Sequence, residues 1–456
     1  MKKKLDLKYR RLVVGVDEKV PLLDGSYVTA INFDNAATTP PFKRVLKEVN
    51  TFAPWYSSIH RGTGYKSILS SDLFEDGRKR IKDFVGADED DIVIYTKNTT
   101  EAINILANAL RYQAEGKIVL CTDMEHLAND LPWRSSFAMD YVKIDHEGKL
   151  DLNDLEYKLK GYQGNVRLVT VTGASNVTGY INSIQQISQL THRYGAELFV
   201  DGAQLVPHRT IHMQAEGIDY LAFSAHKMYA PFGSGALIGR REIFKHCQPN
   251  TKGGGAVKLV THDFVDWDKP PYKEEAGTPN VIGVAAMLAA ICCLQKLDMQ
   301  EVHHDEQELI TYIIRGLRKI KGICLYGCPR VCGDKVSIIA FTLPDIEHRL
   351  IAKILSYEGG IAVRSGLFCA HPYVQKLLGL TKEVIEWYRQ NPQINIPGLV
   401  RVSLGIYNTY PEADRLLYHV RLIAENSEYF KEKYQNIDQQ PDTSKLLLHP
   451  LSRQLP

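Results

Sequence analysis

The chain has 456 residues, a net charge of +2 at neutral pH, 44% hydrophobic residues and 24% charged residues. This composition is typical of a globular protein with a large core, and so small a net charge favours neither nucleic-acid nor membrane binding. No run approaches the roughly 18 apolar residues of a membrane span, and the basic start lacks the apolar part of a signal peptide. The eight unevenly spaced cysteines indicate thiols of a reducing compartment. We therefore expect a cytoplasmic protein.

Strand and helix patterns alternate through the first two thirds of the chain. After a mixed arm (1–30), apolar runs predict strands at 31–33, 92–96, 117–120, 166–172, 198–200 and 220–223. Helical spacing predicts helices at 42–52, 72–85, 101–110, 184–194 and 281–297, the last with Thr278 as its N-cap. This alternation predicts an α/β fold with a mostly parallel sheet and helices on both faces. In such folds the ligand site lies at the carboxyl ends of the strands.

The pattern changes at about residue 300. A helix at 306–320, a strand at 336–343 and a helix at 347–358 predict a smaller α+β domain. The predicted organisation is an arm (1–30), a large domain (31–298), a small domain (299–431) and a polar, flexible tail (432–456). Cys324, Cys328 and Cys332 have a spacing that fits no standard zinc site, so no metal site is predicted.

One short stretch suggests the chemistry. Lys227 follows the apolar run 220–223, and Asp201 follows the run 198–200. A lysine at a buried strand end can be desolvated, which makes its amine a Schiff-base nucleophile. A carboxylate beside such a lysine can hold the pyridine nitrogen of pyridoxal phosphate protonated. The alternative is a buried Asp–Lys ion pair between two strands.

Other polar residues follow strands of the same predicted sheet. Thr99 and Thr100 stand at a strand–helix junction, where backbone amides can bind a phosphate, although a threonine N-cap is the simpler explanation. His126 could stack on a planar cofactor, and Asn176 could reach a ligand. Each of these alone is more often structural.

Two residues of the C-terminal third could act on a substrate. Cys369 lies in a glycine-turn loop after Arg364 and could be a thiolate nucleophile or simply a buried thiol. Arg401 lies in a predicted strand and would bind a substrate carboxylate if it points inward.

The sequence resembles class V aminotransferase-fold enzymes of fold type I, most closely the group II cysteine desulfurase and selenocysteine lyase family. The resemblance runs from about residue 34 to about residue 415. Its motifs are DNAATTP at 34–40, HRG at 60–62, TTE at 99–101, EH at 125–126, SNVTG at 175–179, VDGAQ at 200–204, FSAHK at 223–227, EAGTPN at 275–280, RSGLFCA at 364–370 and RVSLGIYNT at 401–409.

The resemblance implies a role for each candidate residue around pyridoxal phosphate. Lys227 would form the Schiff base, Asp201 would pair with the pyridine nitrogen, Gln204 would bind the phenolic oxygen, and His126 would stack on the ring. The phosphate would be bound by Thr99, Thr100, Ser224 and His226, with Thr278 from the partner subunit of a homodimer. Asn176 and Arg401 would bind the substrate carboxylate, Arg364 would line the pocket, and Cys369 would carry a persulfide.

Three features depart from the family pattern. Leu367 and Phe368 stand where two histidines commonly precede the cysteine, which removes a possible proton relay. Leu127 replaces a histidine that often follows Glu-His. Residues 380–397 look inserted between Cys369 and Arg401.

The favoured function is that of a cytoplasmic cysteine desulfurase, with cysteine or a related thiol amino acid as substrate and a sulfur-acceptor protein as a possible partner. A class V aminotransferase, epimerase or C–S lyase without a persulfide is the alternative enzyme. A catalytically silent scaffold is the alternative of another class. The presence of both Lys227 and Asp201 argues against the scaffold, because packing alone requires neither.

Overall fold

The computed structural model describes residues 8–112, 116–327 and 335–438. Its strands are β1 Lys19–Pro21, β2 Tyr27–Thr29, β3 Ile31–Asn32, β4 Asp91–Thr96, β5 Ile118–Thr122, β6 Ala138–Val142, β7 Val166–Thr172, β8 Glu197–Asp201, β9 Tyr220–Ser224, β10 Gly235–Arg240, β11 Val257–Val260, β12 Val265–Trp267, β13 Cys324–Tyr326, β14 Ile338–Thr342, β15 Ile361–Ala362, β16 Arg364–Gly366 and β17 Leu399–Ser403.

The helices pack around these strands. They are α1 Lys43–Phe52, α2 Tyr65–Val85, α3 Thr99–Arg111, α4 Leu131–Arg134, α5 Leu152–Gly161, α6 Ile184–Arg193, α7 Met213–Glu216, α8 Val281–Lys296, α9 Met299–Leu317, α10 His348–Gly359, α11 His371–Leu377, α12 Lys382–Gln390, α13 Tyr410–Glu425 and α14 Ser427–Asp438.

A seven-stranded sheet forms the centre, in the order β4-β10-β9-β8-β7-β5-β6. Its strands are parallel except β10, which pairs antiparallel with both β4 and β9. The central strands β7, β8 and β9 are almost wholly buried, as strands covered by helices on both faces must be. The predicted α/β fold with a mostly parallel sheet is confirmed.

A second hydrophobic core surrounds a four-stranded antiparallel sheet of order β13-β14-β17-β16. Helices α9, α10 and α13 contribute Ile313, Ile351 and Leu416 to this core. Strand β3 also joins it, because β3 pairs in parallel with β15, and Ile31 and Phe33 are buried in the second core. The chain therefore contributes to the second core before it enters the large sheet, which differs from the predicted boundary at residue 31.

Several element ends differ from the prediction. Helix α2 begins at Tyr65 and not at residue 72. The prediction missed its first turns because they carry serines that give no apolar pattern. Asn98, and not a threonine, caps α3, since its side chain accepts a hydrogen bond from the amide of Glu101. Asn280 caps α8 in the same way, so Thr278 lies before the helix and is not its cap.

The C-terminal region is more helical than predicted. Helix α14 continues to Asp438, past the predicted start of the tail at 432, because Tyr434 is buried in the second core. The segment 380–397 contains the exposed helix α12. Cys328, Cys332 and the remainder of the predicted tail (439–456) lie outside the described residues.

No single helix in the described ranges is long and apolar enough to cross a membrane. The pair α8 and α9 reaches the required length and composition only together, with a bend of 83° between the two helices.

Candidate active site

A cavity of about 270 Å³ lies at the carboxyl edge of the seven-stranded sheet, where β7, β8 and β9 end. Every predicted site residue except Thr278 lines it: Thr99, Thr100, His126, Asn176, Asp201, Gln204, Ser224, His226, Lys227, Arg364, Cys369 and Arg401. The large sheet supplies the residues up to Lys227, and β16, β17 and the loop after β16 supply the rest. The cavity therefore lies where the two sheets approach each other.

Lys227 and Asp201 face this cavity from neighbouring strand ends. Burial lowers the pKa of Lys227 to about 8, and the positive charge of Arg401 acts in the same direction while Asp201 opposes it. The Asp201 carboxylate is buried, which raises its pKa, and it accepts a hydrogen bond of 2.9 Å from the amide of Ala203. Within the described ranges no hydrogen bond or ion pair joins the two side chains. The geometry therefore does not favour the alternative of a simple ion pair between Asp201 and Lys227.

The end of the cavity beside β9 is suited to an anion. The amide of Thr99 donates to Oγ of Ser224 at 2.8 Å, and the two hydroxyls are 2.7 Å apart. These groups lie at the N-terminus of the 13-residue helix α3, where backbone amides and the helix dipole favour negative charge. His226 lines the same cavity, and burial lowers its pKa to about 4, so it is neutral at physiological pH.

His126 is held as a neutral ring. Its Nδ1 accepts a hydrogen bond of 3.0 Å from the amide of Ala128, which places the ring proton on Nε2. Burial, and then the charge of Lys227, lowers the pKa of His126 to about 4. The adjacent Glu125 is buried behind it and accepts hydrogen bonds from the amide of Thr172 at 2.9 Å and from Nδ2 of Asn129 at 2.6 Å. This network joins the ends of β5 and β7 and fixes the His126 loop.

Arg401 points inward, as a residue that binds a carboxylate must. Its side chain is 3% exposed, its Nη1 donates to the Asn176 carbonyl at 2.9 Å, and its Nη2 donates to Oδ1 of Asp34 at 3.0 Å. Burial lowers the pKa of Arg401 to about 10, and Asp34 opposes that shift, so the guanidinium is charged at neutral pH. Its Nε is buried without a hydrogen-bond partner among the described residues. Buried donors are rarely left unpaired, so this atom indicates a place for a ligand acceptor.

Cys369 stands in a strained turn beside the cavity. Phe368 and Cys369 have φ of +49° and +53°, a conformation that costs a non-glycine residue about 1 kcal/mol or more. Two hydrogen bonds from other loops hold this turn: the amide of Leu127 donates to the Cys369 carbonyl at 2.6 Å, and Nδ2 of Asn176 donates to the Phe368 carbonyl at 2.7 Å. The Cys369 side chain remains exposed. The turn thus presents the thiol to the cavity.

Phe368 and Asp34 belong to the site although sequence reasoning did not select them as site residues. The Phe368 ring lies 5.0 Å from the Arg401 guanidinium carbon, a cation–π distance. Asp34 pairs with Arg401 and with Arg364. The only sequence signal for Asp34 was its place in a polar motif after a strand.

Thr278 lies elsewhere, at a second cavity of about 550 Å³. His60, Arg61 and Gly255 line this second cavity with it, and Thr278 is exposed there. The loop before Thr278 is fixed by Glu275, whose carboxylate binds the Arg78 guanidinium at 2.7 and 2.8 Å.

The residues of the first cavity fit pyridoxal phosphate. The hydroxyls and amides at the start of α3 suit its phosphate, and the neutral His126 ring suits stacking. The buried Asp201 carboxylate, hydrogen-bonded by the Ala203 amide, suits a protonated ring nitrogen. The partly deprotonated Lys227 suits the aldehyde.

Comparison of the sequence with known proteins identifies its family. Residues 31–416 match the family described as aminotransferase class-V. The chain is 31% identical to a cysteine desulfurase of Haloferax volcanii over 403 residues, covering 86% of this chain and 89% of the relative. It is 30% identical over 408 residues to a probable cysteine desulfurase of Halalkalibacterium halodurans, covering 88% of this chain and 94% of the relative.

Solved structures give the same result. The apo cysteine desulfurase of Thermococcus onnurineus superimposes with a TM-score of 0.78 at 29% identity, covering 90% of this chain and 98% of that one. A cysteine desulfurase of Escherichia coli superimposes with a TM-score of 0.76 at 27% identity, covering 92% and 98%.

Proposed function

The chain belongs to the class-V aminotransferase family of pyridoxal-phosphate enzymes, and we propose that it is a cysteine desulfurase. L-cysteine and the thiol of Cys369 react to give L-alanine and a persulfide on Cys369. In this exchange the substrate C–S bond breaks, an S–S bond forms, and the carbon that loses sulfur gains a proton. The sulfur then passes to a thiol of an acceptor protein.

One observation carries this proposal: the Cys369 thiol faces the same cavity as the Lys227 amine. The thiol is exposed, and the two hydrogen bonds to its turn come from Leu127 and Asn176, on the loops that also bear His126 and contact Arg401. A nucleophile so held can meet a substrate sulfur in the cavity. An aminotransferase, an epimerase or a C–S lyase would need no thiol there.

The substrate is proposed to bind through its carboxylate. The unpaired Nε of Arg401 and the second hydrogen of its Nη2 offer two donors, and the Asn176 side chain lies beside them. Arg364 lines the same cavity. This anchoring leaves Cα toward Lys227 and the sulfur toward Cys369.

The cofactor supplies an electron sink that makes the Cα proton acidic. The Lys227 amine moves that proton, for which a pKa of about 8 near the working pH is suitable. The proposed cofactor contacts are Asp201 at the ring nitrogen, Gln204 at the phenolic oxygen and His126 on the ring face. Thr99, Thr100, Ser224 and His226 are proposed to bind the phosphate.

The proposed enzyme is a homodimer in which Thr278 completes the phosphate site of the partner subunit. Exposure of Thr278 at a separate cavity supports this, since Thr278 is not among the residues that line the first cavity of its own chain. Gly255 and Asp268 line the second cavity, and the hairpin β11–β12 lies between them in the chain. Leu259 and Phe264 of this hairpin are 55% and 51% exposed. Apolar side chains so exposed beside a polar cavity are typical of a subunit interface.

The proposed compartment is the cytoplasm. All six cysteines in the described part of the chain are free thiols, as expected in a reducing environment.

Because Leu367 and Phe368 replace the two histidines common in the family, we expect slow basal turnover that an acceptor protein accelerates.

The test is to incubate the holoenzyme with L-cysteine and to measure alanine and protein-bound sulfur together. We expect one added sulfur on the Cys369 peptide by mass spectrometry, and alanine in the same molar amount during the first turnover. Pyruvate in place of alanine would indicate a lyase, and transfer of the amino group to a keto acid would indicate an aminotransferase.

A further inference from the structure

The Phe368 ring packs against Arg401, the arginine that is proposed to bind the substrate carboxylate. The guanidinium carbon of Arg401 lies over the ring, 5.0 Å from its centroid. Both residues are buried, with exposed fractions of 9% for Phe368 and 3% for Arg401. A cation–π contact is strongest when water is excluded from it, so this contact is of the strong kind.

The surroundings of Phe368 fix its ring at this place. Its backbone carbonyl accepts a hydrogen bond of 2.7 Å from Nδ2 of Asn176. Its φ of +49° is one that a bulky residue keeps only where its neighbours hold it. The ring also belongs to a small apolar cluster with Met124, Val177 and Leu399. These three residues come from the loops after β5 and β7 and from β17, so the ring is packed between the two sheets.

The polar contacts of Arg401 use only its two terminal nitrogens. Nη1 donates to the Asn176 carbonyl at 2.9 Å, and Nη2 donates to Oδ1 of Asp34 at 3.0 Å. Nε is buried without a hydrogen-bond partner among the described residues. An aromatic face stabilises a cation by its quadrupole and needs no N–H group of the guanidinium. A carboxylate or an amide oxygen in the place of the ring could accept from Nε and would then compete with the substrate.

We propose that Phe368 is a positioning residue for the substrate carboxylate, which acts through Arg401 by holding the guanidinium with an aromatic face while Nε stays open. This deepens the proposed function and rests on its assignment of Arg401 to the substrate carboxylate. Without the ring, the guanidinium would be held only at Nη1 and Nη2, and water could reach its charge. Both changes weaken the binding of a carboxylate.

The experiment titrates the holoenzyme with L-alanine and with L-alaninamide and follows cofactor absorbance. The two ligands have nearly the same shape, and only L-alanine has a carboxylate. Phe368→Leu keeps an apolar side chain and removes the aromatic face. In this variant we expect the affinity for L-alanine to fall about tenfold and that for L-alaninamide to change by less than about threefold. Any result in which L-alanine does not lose more affinity than L-alaninamide would overturn the proposal.

Fluorinated rings test the aromatic face with little change in packing, and they keep the test available if Phe368→Leu does not fold. Fluorine withdraws electron density from the ring face, which weakens a cation–π contact. With a monofluorinated and then a trifluorinated phenylalanine in place of Phe368, we expect the affinity for L-alanine to fall stepwise, by about threefold in total. An affinity that does not depend on fluorination would mean that the ring acts by shape alone, which overturns the proposal.

A second background shows whether Phe368 acts through Arg401. In Arg401→Gln, which removes the cation, adding Phe368→Leu should change the affinity for L-alanine by less than about twofold. A fall of about tenfold in this background would mean that the ring acts on the substrate directly, and would overturn the proposal.

Phe137→Leu is the matched control. Phe137 packs against a hydrophobic core of the large sheet and does not line the first cavity. This variant should therefore bind L-alanine and L-alaninamide as the wild type does. A loss of L-alanine affinity equal to that of Phe368→Leu would show that the effect is a general one of core phenylalanines, against the proposal.

These outcomes are separate from the desulfurase activity, because the binding of L-alanine requires no sulfur transfer. Selective loss of L-alanine affinity in Phe368→Leu, together with a wild type that forms no persulfide from L-cysteine, would support Phe368 as the positioning residue and overturn the desulfurase function alone. Persulfide formation in a wild type whose L-alanine affinity is independent of the ring would overturn the role of Phe368 alone.

Discussion

The amide of Leu127 donates a hydrogen bond of 2.6 Å to the carbonyl of Cys369. This contact joins the loop after β5 to the loop after β16, and so joins the two sheets across the cavity. The His126 ring and the Cys369 thiol are consequently carried by two backbone segments that are hydrogen-bonded to each other. Because Asn176 also binds the Phe368 carbonyl, we expect the thiol to keep its place when substrate enters, and sulfur transfer to depend on substrate position.

The first prediction concerns the pH dependence of cofactor capture. The pKa of Lys227 in the empty cavity is about 8 because burial disfavours the charged amine. Below that pH the amine is protonated and has no lone pair for the cofactor aldehyde. The rate at which apoenzyme acquires the holoenzyme absorbance should therefore fall about tenfold per pH unit below 8 and level off above it.

Lys227→Ala is the control for this measurement. It should bind pyridoxal phosphate weakly, give no product that borohydride fixes, and show no such pH profile. The range from about pH 6 to about pH 9 spans the Lys227 pKa of about 8. A wild-type rate of cofactor capture that stays constant over this range would contradict the assignment of that pKa to Lys227.

Thr278→Val tests the partner's phosphate site. Valine keeps the shape of threonine and removes its hydroxyl. A hydrogen bond from a hydroxyl to a charged group contributes about 1.5 to 3 kcal/mol of stabilisation. We expect cofactor to dissociate about tenfold faster on dialysis, with an unchanged melting temperature for the apoprotein. Thr51→Val, at an exposed position on helix α1, is the matched control. A fully active monomer in sedimentation would refute the shared site.

Much of the fold followed from the sequence, because buried parallel strands are continuous apolar runs. The run at 166–172 predicted β7 with the bounds that the structure has. The first turns of α2 were missed because their polar serines give no helical period. The caps Asn98 and Asn280 were missed because threonine, which stands nearby in both cases, is also a preferred cap residue. Element ends depend on such local competition.

The site was predictable where its residues follow strands, since the carboxyl ends of parallel strands share one edge. Lys227 and Asp201 were placed together for this reason, and the cavity contains both. Asp34 was not predicted as a site residue, because its role arises from contacts with Arg364 and Arg401, far along the chain. Pairing between distant charged residues leaves no local pattern in a single sequence.

Arg401→Lys tests the carboxylate site. A lysine ammonium cannot donate to the Asn176 carbonyl, to Asp34 and to a substrate carboxylate with the fixed fork of a guanidinium. We expect KM for L-cysteine to rise about tenfold or more while cofactor absorbance stays intact. Arg364→Lys, at a side chain that is 49% exposed, should have a smaller effect. Unchanged kinetics in Arg401→Lys would show that the substrate binds elsewhere.

Cys369→Ser decides between a desulfurase and the other enzymes of the family. Serine fits the same strained turn, because that turn is held by the backbone carbonyls of Phe368 and Cys369 and not by the thiol. The variant should therefore keep its cofactor and bind L-cysteine, since Lys227, Asn176 and Arg401 are unchanged. It should fail at sulfur transfer, because a hydroxyl is a poor nucleophile toward sulfur and cannot hold a persulfide. We expect alanine formation to fall by about a hundredfold or more, and no sulfur to appear on the 364–370 peptide.

Cys324→Ser, at an exposed thiol outside the cavity, should behave as wild type. Release of sulfide or pyruvate by Cys369→Ser as fast as by wild type would exclude the persulfide route and assign the cavity to a lyase.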